Sequence, residues 1–195
     1  IVEATKKFLI IGNINCITYK EVFPRIQNNE IWLGTGMGRW ITGFIVPDGY
    51  ELYGTEARIN EEGKRIVATN NCLWLTNLDH GKRHRPLHLM TMADNLKFSK
   101  HKSVRESGYL KYDNYDAIDI PFTNAIPSDY DGAMGVPITF LDKYNPEQFE
   151  ILGCSYQYGD PGCHYSGQPW NVSVDGKDVY KRVFIRAKKL GVQNK

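Results

Sequence analysis

The chain begins with a segment that leaves few folding options: Lys6-Lys7-Phe8-Leu9-Ile10-Ile11-Gly12-Asn13-Ile14-Asn15. Four apolar residues in succession cannot alternate between core and solvent, as a half-exposed strand must. They predict a central strand of an α/β sheet, covered on both faces. The strand stops on glycine and asparagine. Polar residues just past the carboxyl end of such a strand stand where α/β folds bind ligands. A strand of this kind so near residue 1 predicts that the chain opens in the middle of a catalytic domain.

Downstream, Thr18-Tyr19-Lys20-Glu21 has capping-box spacing ahead of a short amphipathic helix through Val22, Phe23 and Ile26. Pro24 must kink that helix or serve as a first-turn proline, and Asn28-Asn29 ends it. Segments 31–34 and 71–77 read as two further strands, giving the order β-α-β-β. Between them, an insertion over 38–69 carries a turn at Glu61-Glu62-Gly63-Lys64. From His80 to Gly135 the chain is polar and tyrosine-rich, and few regular elements are expected. Segments 137–141 and 149–153 read as strand and helix-turn fragments. The end reads as a hairpin, with Val172-Ser173-Val174, a turn at Asp175-Gly176, and a return strand with Val179, Lys181, Val183 and Ile185 on one face.

Composition is that of a globular protein, 42% hydrophobic and 24% charged, with a formal net charge of +2. The charge is unevenly placed. Between Gly81 and Glu106, Lys82, Arg83, Arg85, Lys97, Lys100, Lys102 and Arg105 face only Asp94 and Glu106, and His80, His84, His88 and His101 lie in or beside the segment. Such a patch on a nearly neutral chain is either a polyanion footprint or a solvated loop. The four cysteines, Cys16, Cys72, Cys154 and Cys163, have irregular spacing and no CxxC, which gives no disulfide framework, and the apolar surroundings of Cys16 and Cys72 predict buried free thiols. No apolar run approaches the ~18 residues of a membrane helix, and no membrane partner is expected. The chain does not begin with methionine, as expected of a processed or truncated piece.

Several stretches imitate known chemistry. Gly34-Thr35-Gly36-Met37-Gly38 follows a strand, but the residues after it are a poor helix start, so a turn leaving the sheet is preferred to a nucleotide loop. Asn145-Pro146-Glu147-Gln148-Phe149 resembles a degraded Asn-Pro-Pro-Phe, yet fits better as an N-cap, a first-turn proline and an early acid. His80, His84 and His88 have helical spacing, but Gly81 and Pro86 oppose a helix and no zinc pattern completes the set. The run Tyr109-Leu110-Lys111-Tyr112-Asp113-Asn114-Tyr115-Asp116 interleaves aromatics with groups able to contact phosphate and bases. A packed, hydrogen-bonded loop explains it equally and is favoured on the residues alone.

Taken together, the segments KKFLIIGN with ITYKEVF, IWLG, GFIVP, YELYGTEARI, NNCLWLTNLD, KYDNYDAI, and MGVPITFL with NPEQFE resemble the EcoRI-type adenine-specific DNA methyltransferases. The match runs from Lys6 to Glu150, and the closing hairpin fits as well. The resemblance implies an α/β fold, the later part of a Rossmann-like S-adenosylmethionine-dependent methyltransferase sheet, joined to an irregular DNA-recognition region. Residues 1–79 would be the C-terminal part of the catalytic domain and 80–195 the target-recognition region. The opening strand would be the fifth of the sheet, and segments 31–34 and 71–77 the sixth and seventh, an antiparallel pair at its edge.

The same resemblance implies what the chain lacks. The glycine-containing S-adenosylmethionine loop and the Asn-Pro-Pro-Phe motif should both precede Ile1, so the piece is expected to be inactive alone and to need the missing N-terminal half. In the family those asparagine and proline acceptors bind the adenine amine, whose lone pair is otherwise conjugated with the ring, and aim it at the methyl group. The adenine must first flip out of double-stranded DNA. For this chain the resemblance implies Asn13, Asn15 and Tyr19 near the flipped-base pocket, with capping of the next helix as the competing role of the asparagines. It implies Lys82, Arg83, His84 and Arg85 on phosphates, Lys111, Tyr112, Asn114 and Tyr115 near the target, and Arg39 and Arg58 as groove contacts. No metal is implied. The intact enzyme would be a cytoplasmic bacterial or phage modification enzyme, with GAATTC as a site shared by resemblance. The alternatives are a non-catalytic sequence-specific DNA-binding module and an RNA methyltransferase of the same fold.

Overall fold

The computed structural model describes residues 6–37, 43–51, 57–67, 72–155 and 172–188. The chain is a mixed α/β structure of several small sheets. The first contains β1 (Leu9–Asn13), β2 (Trp32–Met37) and β6 (Cys72–Thr76), in the order β1-β6-β2. Strand β6 is antiparallel to both neighbours, with Leu9 opposite Thr76 and Leu33 opposite Leu75, so β1 and β2 run parallel to each other on either side of it. The antiparallel pairing expected of segments 31–34 and 71–77 is present. Gly34 belongs to β2 rather than to a turn leaving the sheet. A Cβ there would stand 2.7 Å from the Cβ of Trp74, so glycine is required for this close approach.

Strand β1 departs from expectation. It is an edge strand among the described residues, and Leu9, Ile10 and Ile11 are 53%, 41% and 47% exposed. An unbroken apolar run shows that a strand needs cover on both faces. It does not show that the cover lies within the same 195 residues. The capping box also fails: the Thr18 hydroxyl donates to the Asn15 carbonyl (2.9 Å) inside a 3-10 turn over Ile14–Thr18. Helix α1 (Phe23–Gln27) starts afresh with Pro24 in its first turn and ends at Asn28, and Asn29 follows at φ 57°.

The insertion forms a second sheet of β3 (Phe44–Ile45), β4 (Ala57–Ile59) and β5 (Arg65–Val67), ordered β3-β5-β4. Its β4–β5 turn contains Gly63 at φ 76°, where the sequence suggested one. The segment after His80 is more regular than expected, because it holds helices α2 (Met92–Phe98) and α3 (Lys102–Ser107). A four-stranded sheet follows, ordered β7-β8-β12-β9, from β7 (Ile118–Asp119), β8 (Met134–Pro137), β9 (Phe149–Cys154) and β12 (Arg182–Ala187).

The closing hairpin is β10 (Val172–Val174) with β11 (Lys177–Val179), turned by Asp175 and Gly176 at φ 50° and 70°. Positive φ at both central residues is the geometry of tight hairpins. The return strand does not continue into β12, which instead lies between β8 and β9. Val183, Phe184 and Ile185 are all buried, so β12 is not one-faced as the alternation suggested. Val183 and Ile185 enter the main core, and Phe184 packs with Tyr112, Ala117, Val172 and Val174 on the other side. The main core is continuous across residue 79: Ile17, Phe23, Leu33 and Leu73 share it with Val136, Phe140, Phe149 and Ile185.

Candidate nucleic-acid interface

The basic loop is built outward from β2 and β6. Trp32 donates its indole N–H to the Leu78 carbonyl (2.9 Å), fixing the chain where it leaves β6. His80 Nε2 lies 2.9 Å from the Leu33 carbonyl. A carbonyl can only accept, so Nε2 carries a proton, and the buried His80 Nδ1 has no hydrogen-bond partner among the described residues. A 3-10 turn, Gly81–His84, then brings three basic side chains to partners supplied by the fold. Lys82 Nζ is 2.7 Å from Asp142. The Arg83 guanidinium sits 3.9 Å from the Trp32 ring centroid and donates to Asn29 Oδ1 at 2.7 Å. Burial lowers the Arg83 pKa, and nearby Asp79 opposes that shift. His84 lies between two carboxylates, Asp79 at 2.8 Å and Glu147 at 2.9 Å. Both ring nitrogens can then donate only as imidazolium, and these two hydrogen bonds raise the His84 pKa. Arg85 is exposed and its side chain has no partner among the described residues.

The asparagine-proline motif holds this loop. Asn145 is buried, and its Oδ1 accepts from the backbone N–H of Glu147 (2.8 Å) and Gln148 (3.3 Å). The expected helix is instead a turn leading into β9. Glu147 grips His84. The Gln148 amide accepts from Leu87 N–H (2.7 Å) and donates to Leu87 C=O (2.9 Å), so it occupies both backbone groups of one residue.

The tyrosine-rich loop is held as firmly. The Tyr112 hydroxyl donates to Asp119 Oδ1 (2.6 Å), which also receives Arg182 Nε at 2.8 Å. Burial drives the Tyr112 pKa far above the ordinary phenol value, reinforced by Asp119. Asp113 accepts from the N–H groups of Gly176 (2.9 Å) and Asp175 (3.2 Å), and Asn114 accepts from Ser173 N–H (3.2 Å). These backbone bonds lower the Asp113 pKa, that from Gly176 most. Tyr115 lies against Phe184, with centroids 4.0 Å apart. The loop borders an open groove of about 530 Å³ shared with Arg186. Lys111, which precedes Tyr112 in the chain, is exposed.

The remaining sequence-derived positions are dispersed. Asn13 caps the 3-10 turn after β1 by accepting from Asn15 N–H (2.9 Å), so its capping role is realised. Asn15 and Tyr19 are exposed beyond the same strand. Arg58 is exposed on β4, and Arg39 lies outside the described residues. Sequence reasoning missed the acids that engage the basic loop, Asp79, Asp142 and Glu147. Asp142 and Glu147 lie about sixty positions away, and only the abundance of cations over local acids hinted at them.

A family model described as adenine-specific methyltransferase EcoRI matches residues 1–189. The chain belongs to this family. It is 50% identical over 190 residues to Type II methyltransferase M.EcoRI of Escherichia coli, covering 97% of this chain and 53% of that protein. It is 35% identical over 202 residues to Type II methyltransferase M.MgeORF184P of Mycoplasma genitalium, covering 97% of this chain and 60% of the relative. With Type II methyltransferase M.MpnI of Mycoplasma pneumoniae it shares 31% identity over 154 residues, 78% of this chain and 45% of the relative. The chain thus spans about half the length of these curated relatives. No solved structure matches it. The Asn145 motif thus clamps the basic loop through Glu147 and Gln148.

Proposed function

We propose that this chain is the C-terminal portion of a site-specific DNA adenine-N6 methyltransferase of a restriction-modification system. In this reading, residues 1–79 complete a Rossmann-like catalytic sheet and residues 80–195 read double-stranded DNA. The division is functional, since the two parts share one core. The observation that carries the proposal is family membership across residues 1–189. Strand order supports it too: a parallel pair, β1 and β2, flanks an antiparallel strand, as a late segment of a mostly parallel sheet would. The exposed edge and faces of β1 suit pairing with strands of an N-terminal half.

S-adenosylmethionine is the methyl donor of the proposed enzyme. Space beside Gly12 is filled by Cys16 Sγ, 3.0 Å from where a Cβ would stand, and Gly34 is packed on Trp74, so neither glycine offers the cofactor a loop. In this reading the cofactor and the amine-accepting groups belong to an N-terminal half. This chain's own contribution is to line the flipped-adenine pocket through Asn15 and Tyr19, with Asn13 holding their turn, and to bind the duplex. Arg85 and Lys111 are the phosphate contacts best placed for that task. Lys82, Arg83 and His84 shape the loop that carries Arg85, and Tyr112, Asn114 and Tyr115 shape the one that carries Lys111. The intact enzyme would work in the cytoplasm of a bacterium or a phage-infected cell.

The test measures transfer of labelled methyl groups from S-adenosylmethionine to duplexes with and without GAATTC. The chain is assayed alone and after co-expression with the N-terminal half of M.EcoRI. Methylation only in the complemented sample is expected. Methylation by the chain alone would overturn the division of labour, and failure to bind duplex DNA in either sample would overturn the DNA-directed function.

A further inference from the structure

The α2–α3 turn belongs to none of the loops assigned above. From Lys97 to Arg105 the sequence has four cations, Lys97, Lys100, Lys102 and Arg105, and no acid. In its middle, Phe98 is 62% exposed, the most exposed phenylalanine among the described residues. Lys97 Nζ lies 4.9 Å from the centre of the Phe98 ring. Lys100 is exposed and has no side-chain partner among the described residues. Lys102 meets only the exposed Glu106, at 3.5 Å, an ion pair that contributes little.

The turn is held from beneath. Thr91 caps α2 by accepting from Asp94 N–H (3.1 Å), and the buried Asn95 donates to the Met90 carbonyl (3.3 Å). Arg105 donates to the Ser99 carbonyl, tying α3 to the end of α2. His101 is stacked on Phe122 with ring centroids 3.6 Å apart and planes within 6°, and its Nε2 is 2.8 Å from Asn124 Oδ1. An exposed phenyl ring is therefore presented on a fixed base, with Lys97 beside it and Lys100 unpaired among the described residues.

We infer that this turn is a DNA-contacting wedge, with Phe98 entering a groove of the duplex while Lys97 and Lys100 lie against flanking phosphates. The inference rests on the proposed DNA-methylating function and adds to it a contact surface separate from the loops of Arg85 and Lys111. Charge selects the partner. Covering Phe98 with ordinary protein would desolvate Lys97 and Lys100 without pairing them, whereas phosphates flanking a groove supply the opposite charge.

The experiment is a salt titration of duplex binding by fluorescence anisotropy, using this chain and its variants. Lys97→Gln with Lys100→Gln should reduce the slope of log K against log salt by about 2. Phe98→Ala should weaken binding about tenfold, the scale of a lost base contact, with the slope unchanged. Near-ultraviolet circular dichroism checks that the variants are folded. In parallel, p-benzoylphenylalanine at position 98 should crosslink to the duplex on irradiation. Wild-type binding by both variants, or no crosslink from a protein that binds, would overturn the wedge. If Arg85→Gln still lowered the slope in that case, the DNA-directed function would stand without it. No duplex binding by the wild-type chain would overturn both.

Discussion

Removing the Asp119 carboxylate tests how the tyrosine-rich loop is supported. The side chains of Asp119 and Arg182 are only 15% and 11% exposed, and they meet at 2.8 Å. Tyr112 adds a 2.6 Å hydrogen bond to the same carboxylate oxygen. In Asp119→Ala, Arg182 keeps a buried charge without its carboxylate, and the buried Tyr112 hydroxyl keeps only the Gly135 carbonyl at 3.4 Å as acceptor. Loss of one member of a buried pair costs about 3–5 kcal/mol. The hydroxyl, still within reach of the Gly135 carbonyl, adds little to this. For a chain of this size each kcal/mol lowers Tm by about 2–4 °C, so the fall should be about 6–20 °C. The assay is urea unfolding of wild type, Asp119→Ala, Arg182→Met and the double variant, followed by tryptophan fluorescence. Arg182→Met in the Asp119→Ala background should cost much less than in wild type, because the unpaired charge is then removed. A loss below about 1 kcal/mol for Asp119→Ala, or additive single effects, would refute the argument that these groups are buried and mutually dependent.

Three further outcomes follow from the same geometry. Gly34→Ala should destabilise by about 1–3 kcal/mol in urea unfolding, because the new methyl meets Trp74 within the sheet; unchanged stability would restore a flexible loop at that position. Gln148→Leu leaves both backbone groups of Leu87 unpaired, so hydrogen exchange of the Leu87 amide should quicken while amides of β12 keep their protection. His84 has a raised pKa in the folded chain, so its pairing stabilises fully below the ordinary histidine pKa of about 6.5 and is lost as pH rises through the folded value. The urea midpoint should therefore fall over that rise in wild type and fall less in His84→Gln; identical pH profiles would show that Asp79 and Glu147 do not hold the imidazolium.

What the sequence determined by itself was mostly local. Gly63 and the Asp175-Gly176 pair fix hairpin turns because few residues accept positive φ. Trp32–Met37 and Cys72–Thr76 form strands where the apolar runs suggested them. The unusual runs around KKFLIIGN, NNCLWLTNLD and MGVPITFL were sufficient to indicate the family. Tertiary structure decided the rest. Whether the Phe8–Ile11 run lies at the centre or the edge of a sheet depends on what packs over it, which periodicity within the run cannot encode. Charge counting left the basic segment open as a polyanion footprint or a solvated loop, and could not show that Lys82, Arg83 and His84 each meet a carboxylate or carboxamide supplied by the fold, with Asp142 and Glu147 about sixty residues distant. Pairing at that range depends on the register of packed elements rather than on neighbours in the chain. Arg85, within the same short run, remains outside that network because the backbone turns it toward solvent.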